Sequence, residues 1–136
     1  MNSIFFHEQL HRTPALMTKL REFPVTICGA GALGANIAES LARSGFEKLR
    51  LIDRDRIEEH NLSTQPYYRS DIGAYKTKIL TNSLYRALGI TLDGCSQELT
   101  SANAHKLLKN SVLIIDTFDN STSRQVVKDY CIDRKS

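Results

Sequence analysis

The sequence predicts an α/β fold built on a doubly wound parallel sheet. Three observations carry this reading. Apolar strand-like runs alternate with helical patterns, a glycine-rich turn joins the first run to the first clear helix, and the second run ends in acid. A chain of 136 residues is long enough for one domain with a real core, and 41% hydrophobic and 24% charged residues are ordinary globular proportions.

Residues 7–22, HEQLHRTPALMTKLRE, are mixed and broken at Pro14, so they predict two short helical pieces. They form a leader over 1–22, and the domain proper covers 23–136. PVTIC (24–28) is a short apolar run bounded by glycine, which suits a buried central strand. From 32 to 44, Leu33, Ile37, Ala38 and Leu41 recur at helical spacing, and Gly45 ends the run as a cap. KLRLID (48–53) alternates and stops at acid, giving the second strand.

Residues 54–70 are polar and irregular. DIGAYKTKILTNSLYRALG (71–89) carries a stripe of Ile79, Leu80, Leu84, Ala87 and Leu88 and ends at Gly89, predicting a second helix. ITLDGCS (90–96) is a weaker strand interrupted by Gly94. SANAHKLLK (101–109) reads as a Ser-capped helix, SVLIID (111–116) as a buried strand, and NSTSRQVVKDYCIDR (120–134) as a last helix. Strands and helices in this alternation imply the sheet order 3-2-1-4 with helices on both faces. Four strands leave the second half of such a sheet incomplete, so the chain is expected to be either part of a longer protein or a short form.

The net charge is +3, with bases and acids interspersed, which disfavours nucleic-acid binding. Cys28, Cys95 and Cys131 lie far apart without a CxxC pair, so no disulfide framework or zinc site is predicted, and a reducing, cytoplasmic setting fits best. Cys28 falls in the first apolar strand as a small hydrophobe. No apolar run approaches the roughly eighteen residues of a membrane span, and the N-terminus lacks an apolar signal segment.

GAGALG places Gly29, Gly31 and Gly34 directly after a strand and at the opening of a helix. There, glycines allow backbone to approach phosphate closely while free N–H groups and the helix dipole attract the anion. Asp53, at the end of the second strand, is positioned to accept hydrogen bonds from ribose hydroxyls, with Asp55 as its neighbouring alternative. NAD and ATP share these features. An NAD-dependent oxidoreductase would explain the first 55 residues equally well.

The segment 53-DRDRIEEHNLSTQPYYRSDIGAYK-76 separates the two ligands. A long polar loop carrying Asn61, Gln65, Arg69 and Lys76 is more than a simple dinucleotide fold needs. Its pattern, D-x-D-x-I-E-x-x-N-L-x-x-Q followed by D-x-G-x-x-K, resembles the ThiF/MoeB-type adenylyltransferases, relatives of the ubiquitin-activating enzymes. GAGALG before it and IDTFDNSTSR after it extend the resemblance from about Leu20 to Arg134.

The resemblance implies ATP and Mg²⁺ as cofactors. Gly29, Gly31 and Gly34 would lie along the phosphates, Asp53 on the ribose, and Asn61, Gln65 and Lys76 on the phosphate side. Asp119 would hold Mg²⁺, making Lys76 and Asp119 the residues that carry the chemistry. The implied reaction is attack of a carboxylate on the α-phosphate, typically from the C-terminus of a ubiquitin-like sulfur-carrier protein, to give an acyl adenylate and pyrophosphate. A homodimer is implied as well, with Ile4, Phe5, Phe6, Leu10 and Leu16 of the leader as apolar cover.

Each role has a plainer reading. Without the motif Lys76 reads as a solvated first-turn lysine, Asn61 and Gln65 as ordinary loop polar groups, and Asp119 with Asn120 as a helix cap; the motif favours the functional role for Lys76, and Asp116 is the fallback metal ligand. The chain also departs from the family pattern. Thr64 stands where the family carries a phosphate-binding arginine, leaving Arg69 as the nominated replacement. A second family arginine, near the N-terminus, has only His7 or Arg12 as a counterpart. These departures support an alternative, a non-catalytic nucleotide-binding module on the same fold.

Overall fold

The computed structural model describes residues 13–134. Helix α1 (Pro14–Glu22) opens the described chain, followed by β1 (Val25–Cys28), α2 (Ala32–Arg43) and β2 (Leu49–Ile52). Two single 3₁₀ turns, Glu59–Ser63 and Arg69–Asp71, interrupt the long loop. Then come α3 (Lys76–Leu88), β3 (Asp93–Cys95), α4 (Ala104–Leu108), β4 (Leu113–Asp116) and α5 (Ser121–Asp133). The sheet is parallel with the order β3-β2-β1-β4, as the sequence predicts. Cys28 pairs with both Ile52 and Asp116, and Ile52 with Cys95, so the four strands end level and form one rim.

Alternation along the strands divides the core into two. Val25, Ile27, Leu49 and Leu51 point to one face, where Ala35, Ala38 and Ala42 of α2 and Leu80, Leu84 and Leu88 of α3 cover them. Cys28 and Ile52 point to the other, against Leu99, Ala104, Leu107, Leu108 and Val127. The three buried alanines give α2 a flat face that lies close to the sheet. Burial pushes the Cys28 thiol up to about 12, so this cysteine packs as a small hydrophobe.

Several boundaries differ from expectation. The second of the two expected helical pieces is present and begins at Pro14, where Thr13 caps it by accepting a hydrogen bond from Leu16 N–H at 3.1 Å; the first lies outside the described residues. Met17 of this helix is buried in the first core cluster, so α1 packs as part of the domain; the leader residues before Thr13 lie outside the described chain. Helix α3 starts at Lys76, not 71, because Gly73 takes φ +94° and Arg56 pairs with Tyr75 in an antiparallel bridge. That bridge holds residues 73–75 extended.

Gly94 does not interrupt β3 but sits within it, paired to Leu51, where a side chain would meet Thr81 Oγ1 at 2.9 Å. The α4 turn is organised by Asn103 rather than Ser101: its side chain accepts from Thr100 N–H and donates to the Glu98 carbonyl. Strand β4 is the largest departure. It lies at the edge that the expected order 3-2-1-4 gives it, but it is not buried as expected: Leu113 is 44% exposed, and Val112 just before it 64%. Sequence apolarity alone does not distinguish an edge strand from an internal one. No helix among the described residues is long and apolar enough to cross a membrane.

The two kinds of strand position are separable by mutation. Leu51→Ala, at a fully buried site, should cost about 2–5 kcal/mol in urea unfolding, and Leu113→Ala about 0.5 kcal/mol or less. Equal losses would mean that the outer side of β4 is covered in solution.

Candidate functional site

A cleft of about 330 Å³ opens above the C-terminal rim of the strands. Its back wall is the turn between β1 and α2. Gly29 adopts φ +107°, a region that favours glycine, and a side chain on it would also strike Thr117 Oγ1. Gly34 is excluded from carrying a side chain by distance: a Cβ would lie 1.9 Å from the Gly29 carbonyl oxygen. Gly31 is different. A Cβ there would find only the Gln65 amide, no closer than 3.8 Å, and would project into the cleft.

The turn is fixed from three directions. Asp53 Oδ2 accepts from Ala30 N–H at 2.7 Å, Tyr67 Oη donates to the Ala30 carbonyl at 2.6 Å, and Thr117 Oγ1 donates to the Cys28 carbonyl at 2.7 Å. The other Asp53 oxygen accepts from Asp55 N–H at 2.6 Å. Burial raises the Asp53 carboxyl above the usual carboxylate range, while these two N–H groups and the charge of Lys76 oppose the rise. Burial and the neighbouring Asp53 likewise raise the Tyr67 phenol, which stays a donor.

Lys76 is the first residue of α3, and its backbone N–H donates to the Asp55 carbonyl at 3.0 Å. Its side chain is only 6% exposed and lines the cleft, which is unlike a solvated first-turn lysine. The junction ahead of it is braced by Arg56, which donates to the Gly73 carbonyl and to Tyr75 Oη and lies 4.0 Å over the Tyr75 ring. Gln65 also lines the cleft, and its Oε1 is buried without a protein partner. Such an atom is costly to leave unpaired and is readily satisfied by a donor entering the cleft.

The cleft thus gathers Gly29, Gly31, Gly34, Asp53, Asp55, Gln65, Lys76 and Asp119. It does not gather Asn61. That residue is buried below the loop, where its Oδ1 accepts from Glu58 N–H at 2.8 Å and closes the 3₁₀ turn. Arg69 also lies outside the cleft, exposed and 3.7 Å from Glu59. It does not line the cleft, as the nominated replacement for the arginine absent at Thr64 was expected to do, and Thr64 is itself exposed and off the cleft. His7 and Arg12 fall outside the described residues.

Asn120 caps α5, accepting from Ser123 N–H at 2.8 Å, which leaves the adjacent Asp119 exposed at the cleft edge. Among the described residues, the Asp119 carboxylate has no hydrogen-bond or ion-pair partner. Asp116 is committed instead to Phe118 N–H and lies 3.8 Å from Arg124. No group of three or more ligating side chains gathers among the described residues. A divalent cation would therefore have to draw most of its ligands from phosphate and water, which suits Mg²⁺.

Sequence reasoning missed Tyr67, Thr117, Arg54 and the Gln97–Leu99 stretch, all of which hold or line the site. Tyr67 carried a signal, an aromatic two residues beyond the Gln65 motif position. The others are brought in by the sheet order, which sets the ends of β3 and β4 beside those of β2 and β1.

The model of the ThiF family matches residues 6–136. The chain is 32% identical over 123 residues to a sulfur carrier protein ThiS adenylyltransferase of Bacillus subtilis, covering 88% of this chain and 37% of that protein. It is 30% identical over 122 residues to a sulfur carrier protein adenylyltransferase of Thermus thermophilus, covering 88% and 45%. It therefore spans less than half the length of these relatives. Among solved structures, E. coli MccB with ATP aligns at TM-score 0.84 and 25% identity, over 98% of this chain and 42% of that one. E. coli tRNA N6-threonylcarbamoyladenosine dehydratase, TcdA, aligns at TM-score 0.90 and 20% identity, over 97% and 56%, a likeness of fold.

The two cleft glycines should respond oppositely to alanine. Gly34→Ala should lose about 3 kcal/mol of unfolding free energy or fail to fold, because backbone cannot yield. Gly31→Ala should stay within about 1 kcal/mol of the parent, since its φ of −77° suits alanine and nothing is struck. Thermal unfolding of both variants checks this.

Proposed function

Because the chain belongs to the ThiF family, we propose that it is the nucleotide-binding part of an ATP-dependent adenylyltransferase. The observation that carries this reading is the room beside Gly31. That glycine is not required by any protein contact, yet it faces a cleft holding a buried lysine and an unpartnered Gln65 oxygen. A phosphate chain against the turn accounts for all three. Asp53, already part of the turn's framework, accepts from a ribose hydroxyl through its remaining lone pairs.

The substrate carboxylate attacks the α-phosphorus of ATP, an oxygen–phosphorus bond forms as the bond to the β-phosphate oxygen breaks, and pyrophosphate leaves. An anion attacks an anion, so the barrier is largely electrostatic. Lys76 holds positive charge on the phosphates from a site shielded from water. The N-terminus of α2 adds backbone N–H donors. Mg²⁺ at Asp119 would neutralise further phosphate charge. The carboxylate is proposed to come from a sulfur-carrier protein, the partner class in the relatives' names; the ubiquitin-like character of that carrier, a homodimer and a cytoplasmic setting are further parts of the proposal.

A second reading, nucleotide binding without turnover, is favoured by Thr64 and by the position of Arg69. Among the described residues, Lys76 and Arg54 are the two cationic side chains lining the cleft, and Arg54 is already paired with carboxylates. Pyrophosphate exchange into ATP, measured on a form carrying whatever sequence follows Ser136 in its gene, separates the readings. Exchange that Thr64→Arg raises at least tenfold supports a weakened enzyme; no exchange from either form supports the binding module.

Nucleotide choice is tested by melting temperature. Mg-ATP at about a hundredfold excess over its dissociation constant should stabilise the chain by about 2.7 kcal/mol, and NAD at the same concentration by far less. Gly31→Ala should remove the ATP effect while leaving the unliganded melting temperature near the parent's. Stabilisation by NAD alone would replace the adenylyltransferase reading with the oxidoreductase one.

A further inference from the structure

A nucleotide has a fixed order of phosphate, ribose and base. With phosphates at the glycine turn and ribose at Asp53, the base lies beyond Asp53, towards the end of β3. That end of the cleft is lined by Gln97, Glu98, Leu99 and Arg54. Leu99 is 2% exposed and belongs to the core beneath, so it offers an apolar floor. Arg54 and Glu98 come from separate loops, after β2 and β3, and meet at the rim with Nη1 3.1 Å from Oε1. Arg54 Nε also lies 3.8 Å from the Asp55 carboxylate.

This pair is half exposed, with 58% and 49% of the two side chains open to solvent, so it adds little stability. Two carboxylates already face the guanidinium, at 3.1 and 3.8 Å, which sets it against a second role as the phosphate cation missing at Thr64. What remains is its flat face, fixed at the rim, and a guanidinium plane stacks well on aromatic rings.

We infer that Arg54 is the base-stacking residue of this site and that Glu98 positions it, closing the base against Leu99. This rests on the nucleotide reading above. It adds a specific consequence: Arg54 contributes to affinity through the base and not through the phosphates.

Titration calorimetry with Mg-ATP, and competition of inorganic tripolyphosphate against it, tests the inference in the full chain. Arg54→Ala should weaken ATP about tenfold and change tripolyphosphate less than twofold. Arg54→Lys makes the same distinction with ATP alone, since lysine keeps the charge without the plane, and should bind no better than Arg54→Ala. Glu98→Ala should weaken ATP about threefold in the parent and add nothing in the Arg54→Ala background. Unfolding curves that match the parent's confirm that each variant is folded, as expected for exposed side chains.

An equal loss for tripolyphosphate, full rescue by lysine, or unchanged ATP binding in Arg54→Ala overturns the base-stacking role. An additive loss in the double variant overturns the positioning role of Glu98. A parent chain that binds neither ATP nor tripolyphosphate overturns the nucleotide reading itself, an outcome distinct from the others.

Discussion

The close contact between the Gly29 carbonyl and the Cα of Gly34 sets the geometry on which the rest of the site depends. A single methyl at Gly34 would sit 1.9 Å from that oxygen, so α2 can begin where it does only because position 34 has no side chain. The buried alanines at 35, 38 and 42 continue the approach along the helix, holding α2 low over β1. As a result, the free N–H groups of its first turn face the cleft rather than solvent above it. Both polar groups of the Ala30 backbone are then committed to side chains, the N–H to Asp53 and the carbonyl to Tyr67. The turn is thus fixed by protein contacts alone, which would lower the ordering cost of the proposed nucleotide binding.

Asp53 couples this geometry to electrostatics. Burying a carboxylate is costly, and here the cost is offset by two backbone N–H groups at 2.7 and 2.6 Å and by Lys76. The same residue therefore holds the glycine turn through Ala30 N–H and the segment after β2 through Asp55 N–H. The two are braced as one unit, which under the proposed reading would join the phosphate and ribose positions. Lys76 belongs to that unit too, since its backbone N–H bonds the Asp55 carbonyl next to the segment Asp53 holds. A buried lysine beside a buried aspartate, with space left between them and the glycines, is a charge arrangement that an incoming polyphosphate completes.

Most of the architecture was legible because it is locally encoded. The period of the apolar residues, the glycine turn and the acid after β2 all act within a few residues, and each gave the right element in the right order. What escaped was set at a distance. The segment 71–75 follows directly into the apolar pattern of α3 but is pulled out of the helix by the bridge to Arg56. Asn61 and Arg69 share a loop with Lys76, and only the fold reveals that one turns inward to Glu58 while the other pairs with Glu59. Arg54 was overlooked for the converse reason. Its partner Glu98 lies past another helix and strand, and nothing local announces the meeting.

The β4 side of the cleft depends on the least protected strand. Thr117, Phe118, Asp119 and Asn120 all follow β4, which is the edge of the sheet among the described residues and whose Leu113 is exposed. An edge strand of four residues would ordinarily fray. Thr117 opposes that by bonding the Cys28 carbonyl twice, through its N–H at 2.8 Å and its hydroxyl at 2.7 Å, which pins the strand end to the centre of the sheet. Asn120 then starts α5 with a side-chain cap, and between these two fixed points lies Asp119. Its position is thus inherited from Thr117 and Asn120 rather than from contacts of its own. That arrangement leaves the carboxylate available while restricting where it can go, which is what its proposed role toward a phosphate-bound cation would require.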